Sequence, residues 1–179
     1  VFVNSGISHY NNNKDRLKQR STMLHNTVEV DRKNSSQVWS SFRVAKRAEV
    51  IFQSHKLDGK NAILCGKHHG YKGLFKGTNH KREIILSEND LYINDFLDGS
   101  FKSAIARYHF HPDLEVSILK NIVLVKGKKF KLIGDLKKHT ARIVDAHYYP
   151  EFGKVLNNKC LEIIFISNKN NINFQWSDI

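Results

Sequence analysis

The chain has 179 residues, 40% of them hydrophobic and 26% charged, a composition typical of one ordinary domain with its own core and not of a disordered chain. No apolar run reaches about 18 residues, which excludes a membrane-spanning helix in this sequence. The formal charge of +12 predicts attraction to polyanions, either nucleic acid or acidic polysaccharide. The alternative is that the lysines only keep the surface soluble.

Apolar runs rich in Val, Ile and Phe recur at intervals of about ten residues. Short polar turns, most of them with a glycine, are predicted between these runs at residues 58–61, 88–90, 98–100 and 126–129. This spacing predicts an all-β fold, an antiparallel multi-stranded β-sandwich. Residues 4–18 lack a period and predict a long loop that delivers Arg16, Arg20 and His25. Cys65 and Cys160 lie in or beside apolar runs and predict buried free thiols. Strands are predicted over residues 26–31, 38–52, 61–67, 81–87, 90–97, 103–110, 114–119, 122–126, 129–134, 140–148, 160–167 and 172–176.

A histidine stands just before the first predicted strand. His25 follows Arg20 closely and precedes the alternating run that begins at Val28. A histidine fixed at a strand edge with an arginine nearby could abstract a proton from an anionic substrate. The alternative is a structural side chain that is hydrogen-bonded at the start of the strand.

Basic side chains recur along the predicted strands. Arg43, Arg47, Lys81 and Arg82 supply the forks and point charges that recognise carboxylate or sulfate groups. Together they predict a polyanion-binding track, whereas each one alone is more simply a solvated surface charge. The sequence has no glycine-rich phosphate loop, no Gly-x-Ser-x-Gly elbow and no zinc-finger spacing, so several enzyme classes lose support.

Several motifs occur in a particular order along residues 3 to 167. They are Arg20-Ser21-Thr22, His25-Asn26-Thr27-Val28 with Asp31, Gln37-Val38-Trp39, Phe42-Arg43-Val44, His69-Gly70-Tyr71, His80-Lys81-Arg82, Asp95 with Asp98-Gly99, His109-Phe110-His111-Pro112 and Tyr149-Pro150-Glu151-Phe152-Gly153. In this order they resemble the C-terminal β-sandwich domain of the heparinase II/III-like polysaccharide lyases.

The resemblance implies a lyase that cleaves uronate-containing polysaccharide, with or without sulfate groups, by β-elimination. It assigns the catalytic histidine to His25 and substrate binding to Arg20, Asn26, Arg43 and Arg82. In this family an N-terminal α/α toroid supplies the catalytic tyrosine and the group that neutralises the carboxylate. Residues 1–179 are then the sandwich domain of a larger lyase without its toroid, and we expect this domain alone to be inactive.

The resemblance also implies one structural divalent metal ion, zinc or calcium, held by His69 with Asp31 and Glu29. The expected partner is an acidic polysaccharide, and the expected location is the periplasm or the cell exterior, as for degradative relatives. One alternative is a non-catalytic module that binds acidic carbohydrate. Another is a nucleic-acid-binding protein, although the sequence has neither a recognised motif nor the interleaved aromatic and basic residues of a single-strand binder.

Overall fold

Antiparallel β-strands dominate the structure, a computed structural model that describes residues 1–11, 13–71 and 77–178. The strands are β1 (Val28–Val30), β2 (Val50–Asp58), β3 (Asn61–Tyr71), β4 (Thr78–Leu86), β5 (Asp90–Asp98), β6 (Ala104–His109), β7 (Glu115–Leu119), β8 (Ile122–Lys126), β9 (Phe130–Asp135), β10 (Thr140–Tyr148), β11 (Leu156–Ile164) and β12 (Lys169–Asp178). A short helix α1 (Lys14–Gln19) and a 3₁₀ turn (Thr22–Leu24) precede them. None of the helical segments in the described part of the chain has the length and apolarity that a bilayer crossing demands.

The strands form two sheets that pack face to face. The smaller sheet has the order β1-β6-β11-β10, and the larger has the order β2-β3-β4-β5-β12-β9-β8-β7. Alternate side chains of the facing strands are buried between them, such as Val123 and Val125 on β8 and Ile172 and Phe174 on β12. Each such burial contributes about 1.5–3 kcal/mol to folding. The predicted all-β sandwich is confirmed.

The larger sheet extends beyond the smaller one on one side. Every residue of β2 is exposed, and the adjacent strands β3 and β4 are mostly half-buried. The buried residues of the larger sheet lie mainly on β5, β12, β9 and β8. The strands β2 to β4 therefore present an uncovered face, which forms the floor of a cleft described below.

Two predictions upstream of β2 are wrong. Residues 38–49, predicted as part of a strand, form a loop with one isolated bridge between Val38 and Val44. Serine side chains in and beside this loop bond to the backbone and compete with strand pairing. For example, the Ser36 hydroxyl accepts from the Ala48 amide at 2.9 Å. The predicted loop over residues 4–18 contains the start of α1, which Asn13 caps by accepting from the Arg16 amide at 2.9 Å. Residue 12 of that predicted loop lies outside the described residues.

The predicted hairpin turns and free thiols have mixed outcomes. The turns at residues 58–61, 88–90 and 126–129 connect neighbouring strands, as predicted. The turn at residues 98–100 instead carries the chain from the larger sheet to the smaller one. Both cysteines are unpaired; Cys160 is buried as predicted, but Cys65 is partly exposed.

The N-terminal segment is fixed against the smaller sheet by a close backbone approach. Gly6 forms an isolated bridge with Tyr149 and has φ +77°. A Cβ atom at Gly6 would lie 1.9 Å from the Tyr149 carbonyl oxygen. The segment therefore needs glycine here both for its backbone conformation and for space.

We expect Gly6→Ala to lower the free energy of unfolding by about 2–3 kcal/mol, because the added carbon strains the backbone and displaces the segment. Gly59→Ala is the control, since Gly59 has φ +61° but open space around it; we expect it to cost about 1 kcal/mol. Denaturant unfolding of both variants measures the difference. Equal losses would mean that the contact with Tyr149 contributes nothing.

Candidate functional site

A cleft of about 610 Å³ lies beside the N-terminal segment, helix α1 and the loop over residues 38–49. Its walls include His25 and three arginines, Arg16, Arg20 and Arg47. We call it the arginine cleft. It brings together two residues that the sequence assigned to the site, His25 and Arg20.

The hydrogen bonds of His25 define which of its nitrogens carries the proton. The Ser5 amide donates to Asn4 Oδ1 at 3.0 Å, which identifies that atom as the amide oxygen. His25 Nδ1 lies 2.5 Å from the same oxygen and must therefore donate to it. In the neutral ring Nε2 then has a free lone pair, and among the described residues it has no hydrogen-bond partner. Burial lowers the pKa of His25, which favours this neutral form.

The three arginines of the cleft carry uncompensated charge. None of them forms an ion pair with a described residue, whereas Arg82, Arg107 and Arg142 elsewhere are all paired with carboxylates. Burial and the nearby charge of Arg20 lower the pKa of Arg16. Adjacent guanidinium groups without counter-ions make the cleft suited to an anion.

Asn26 holds the segment that orients His25. Its side-chain amide donates to the Val3 carbonyl at 2.9 Å, and its side-chain oxygen accepts from the His109 amide at 2.7 Å. The first bond ties Val3, and with it Asn4, to the residue next to His25. Asn26 is thus positioned to act through Asn4 on the His25 ring.

A buried carboxylate on the larger sheet, Asp95, is linked through Arg82 to the segment that contains Asn26. Asp95 is fully buried and accepts two bonds from Arg82, at 2.7 and 2.8 Å, and one from His80 Nε2 at 2.7 Å. The third guanidinium nitrogen of Arg82 donates to the carbonyl of Asn26. The ion pair on the larger sheet is therefore connected directly to the residue after His25.

Two histidines extend this network in one direction. The Gly70 amide donates to His68 Nδ1 at 3.1 Å, so the neutral His68 ring carries its proton on Nε2. That nitrogen lies 3.3 Å from His80 Nδ1, and His80 in turn donates to Asp95. His68 and His80 line a second cleft of about 780 Å³ over the uncovered face of β2 to β4.

Burial and the charges of this network shift two pKa values strongly. Burial, together with the charges of His80, His69 and Arg82, lowers the pKa of His68 to about 4. Burial alone would raise the pKa of Asp95, but the Arg82 charge and the bonds from His80 and Arg82 lower it to about 2. At neutral pH His68 is therefore neutral and Asp95 is ionised.

The family described as heparinase II/III-like, C-terminal, matches residues 1–177 of the chain. The chain belongs to this family. It is the C-terminal domain type of the heparinase II/III-like polysaccharide lyases, as the motif order in the sequence predicted. No curated protein matches the chain.

Solved lyase structures have the same fold as this heparinase-like domain. The heparan sulfate lyase HepC from Pedobacter heparinus superposes with a TM-score of 0.73 at 14% identity, over 98% of this chain and 28% of the lyase. The heparinase III-BT4657 gene product superposes with a TM-score of 0.73 at 15% identity, over 99% of this chain and 28% of that protein. At these identities the likeness shows the fold alone. The chain spans about 28% of the length of the lyases that it matches.

The predicted substrate-binding residues of the heparinase-like domain have three different surroundings. Arg20 lies in the arginine cleft, where one guanidinium nitrogen donates to the Ser40 carbonyl at 2.7 Å. Asn26 and Arg82 use their polar groups for the internal bonds described above. Arg43 is exposed and lies over the Trp39 ring, 5.2 Å from its centre.

The residues predicted to hold a metal ion in this domain have separate partners. His69 Nε2 lies 3.1 Å from Glu49, and Glu29 is ion-paired with Arg107. Asp31 follows β1 with φ 50° and accepts from the backbone amides of residues 102 and 103. The described residues contain no group of three or more His, Cys, Asp or Glu side chains placed to hold an ion. These residues do not fit a shared metal site in this arrangement. The metal ion stays a prediction.

Three residues of the site were not predicted from the sequence. The sequence indicates Asn4 only as part of a loop. It indicates Asp95 and His80 only as members of motifs to which no role is assigned. The alternation along β4 and β5 was a usable signal, because it places His80, Arg82 and Asp95 on the inner face of adjacent strands. No local signal connects Asn4 to His25, since the two residues meet only in the folded chain.

Proposed function

We propose that this domain is the sandwich half of a lyase that cleaves uronate-containing polysaccharide by β-elimination, with His25 as the base. The observation that carries the proposal is the unprotonated Nε2 of His25 in a cleft with three unpaired arginines. Substrate binding is assigned to Arg16, Arg20 and Arg47 of that cleft. The neighbouring lyases, whose names specify heparan sulfate or heparinase activity, support an acidic glycan as substrate.

The residue types suit this chemistry. The C5 proton of a uronate becomes acidic when the charge of the adjacent carboxylate is neutralised, and arginines of the cleft supply positive charge for this. His25 Nε2 takes the C5 proton, the C5–H electron pair forms the C4–C5 double bond, and the C4–O4 bond breaks. An acid must then protonate O4 of the departing chain.

That acid has to come from outside the described residues of the cleft. No tyrosine is among the described residues that line the cleft. The Tyr71 hydroxyl donates to the Val28 carbonyl at 2.7 Å, and Tyr108 is buried under Arg82. Burial raises the pKa of both hydroxyls. We therefore propose that an N-terminal helical domain supplies the tyrosine, in keeping with the fraction of the neighbouring lyases that this chain spans.

A non-catalytic module for acidic carbohydrate is the second candidate. The same arginines would bind the glycan, and the absence of a tyrosine among the cleft-lining residues that the structure describes favours binding without chemistry in this chain alone. The two candidates differ in what they require of His25.

Calorimetric titration of the chain with a heparan sulfate tetrasaccharide tests the cleft. We expect Arg47→Ala to weaken binding about tenfold or more, because a charge-assisted contact is lost. Arg32→Ala is the control, since it removes the same charge from a turn outside the cleft. Equal effects of the two substitutions would contradict a specific cleft.

The role of His25 is tested with the chain joined to its helical domain. We expect His25→Ala to abolish the ultraviolet-absorbing unsaturated product while tetrasaccharide affinity changes by less than about threefold, since a base acts on the transition state and not on binding. Unchanged turnover would exclude His25 as the base and favour the binding module.

A further inference from the structure

Four aromatic side chains form an exposed surface that the proposed chemistry does not use. Tyr10, Trp39, Phe42 and Phe152 are 55%, 56%, 65% and 58% exposed. The Tyr10 ring centre lies 5.6 Å from Phe42 and 4.8 Å from Phe152. We call these four residues the aromatic platform. Clustered exposed aromatic rings of this kind mark a binding surface on a soluble protein.

The aromatic platform borders the arginine cleft. Trp39 and Phe42 lie in the loop between Val38 and Val44, and both of these valines line the cleft. The Arg20 guanidinium donates to the Ser40 carbonyl at the tip of this loop, and the Arg16 guanidinium lies 5.9 Å from the centre of the Tyr10 ring. Two cleft arginines therefore contact both surfaces.

The loop that carries Trp39 and Phe42 is fixed on both sides. Ser41 is buried, and its hydroxyl donates to the Asn11 carbonyl at 2.9 Å. The bridge between Val38 and Val44 closes the loop, and the Arg43 guanidinium covers the Trp39 ring. This loop is thus held in place by contacts within the chain, which lowers the entropic cost of ligand binding.

We propose that the aromatic platform is a saccharide subsite, which packs against a hexopyranose ring next to the uronate held in the arginine cleft. The C–H face of a pyranose is apolar and matches an aromatic surface. Three arginines beside the platform, Arg16, Arg20 and Arg43, select a polymer that is anionic elsewhere. This inference rests on the proposed function and adds a requirement for ligand length. A disaccharide fills the cleft alone, and a longer chain reaches the platform as well.

Trp39 reports directly on the subsite, because the chain has only two tryptophans. In a Trp176→Phe background we expect a heparan sulfate hexasaccharide to shift the Trp39 emission to shorter wavelength, and a disaccharide to leave it unchanged. Phe42→Ala and Trp39→Ala should weaken hexasaccharide binding about three- to tenfold and leave disaccharide binding unaltered. Phe52→Ala, 49% exposed on β2, is the matched control and should change neither affinity.

Three results would overturn the inference. In the first, hexasaccharide binding depends on Arg47 but does not shift the Trp39 emission and is not weakened in the platform variants. This result excludes the subsite and is consistent with the arginine cleft. Failure of both oligosaccharides to bind removes the subsite together with the proposed function. A dimer in sedimentation that Phe42→Ala dissociates assigns the platform to a second copy of the chain instead.

Discussion

Replacing Asp95 by alanine is expected to lower the free energy of unfolding by about 3–5 kcal/mol, because it leaves Arg82 buried without its counter-ion. Removal of the carboxylate also leaves the His80 Nε2–H group without its acceptor and removes the oxygens that accept from two Arg82 nitrogens. The effect should extend to the site, since Arg82 also donates to the Asn26 carbonyl. Denaturant unfolding measures the free energy.

Asp98→Ala is the matched control for Asp95. Asp98 also forms an ion pair, with Lys67 at 2.7 Å, but its side chain is 53% exposed. An exposed ion pair contributes about 0–1 kcal/mol. If both substitutions cost the same, the buried network around Asp95 does not stabilise the fold in the way described.

Acid should destabilise the protein between pH 6.5 and pH 4. The pKa of His68 falls from 6.5 to about 4 on folding, mainly through burial, and the pKa of His109 falls to about 4 for the same reason. Within this window the unfolded chain binds a proton at each histidine and the folded chain does not, so stability decreases as the pH falls. Each histidine accounts for about 3 kcal/mol of this decrease.

The contribution of one histidine can be isolated by substitution. His68→Gln keeps a polar side chain beside Gly70 and His80 but removes the titration. We expect its unfolding free energy to decline by about 3 kcal/mol less between pH 6.5 and pH 4 than that of the unaltered chain. Measurements at pH 7 to 8, where the lowered pKa values keep both histidines neutral, provide the baseline for each protein. An identical slope in the two proteins would show that His68 takes up no proton in this range.

The strands that the sequence predicted well are those buried on one face. On β12 apolar and polar residues alternate from Asn171 to Ser177, and the structure buries Ile172 and Phe174. Strand β8 is a nearly continuous apolar run, of which the structure buries Val123 and Val125. Strand β2 was misplaced because both of its faces are exposed. Its residues Gln53, Ser54 and Lys56 show no alternation, although their backbones pair regularly with β3. Hydrophobic patterns indicate burial, and an edge strand without burial leaves no such pattern.

The sequence indicated the central residue of the candidate site, His25, but not the residues that hold it in position. A histidine before a strand with nearby arginines identified His25 and Arg20, and the structure places both in one cleft. The resemblance to the heparinase II/III-like lyases implied that Asn26 and Arg82 contact substrate, but both are turned inward and bonded to the protein. A single sequence does not reveal burial of a polar side chain, because the same amide or guanidinium serves a ligand or the fold equally well.

The position of β12 has a consequence for how the chain acquires its fold during synthesis. This strand, residues 169–178, lies between β5 and β9 and pairs with both. Until it leaves the ribosome, the strands β2 to β5 and β7 to β9 are two separate ribbons, each with an open edge where β12 will insert. Such edges pair readily with other chains. Nascent chains released before residue 169 should therefore need a chaperone to stay in solution.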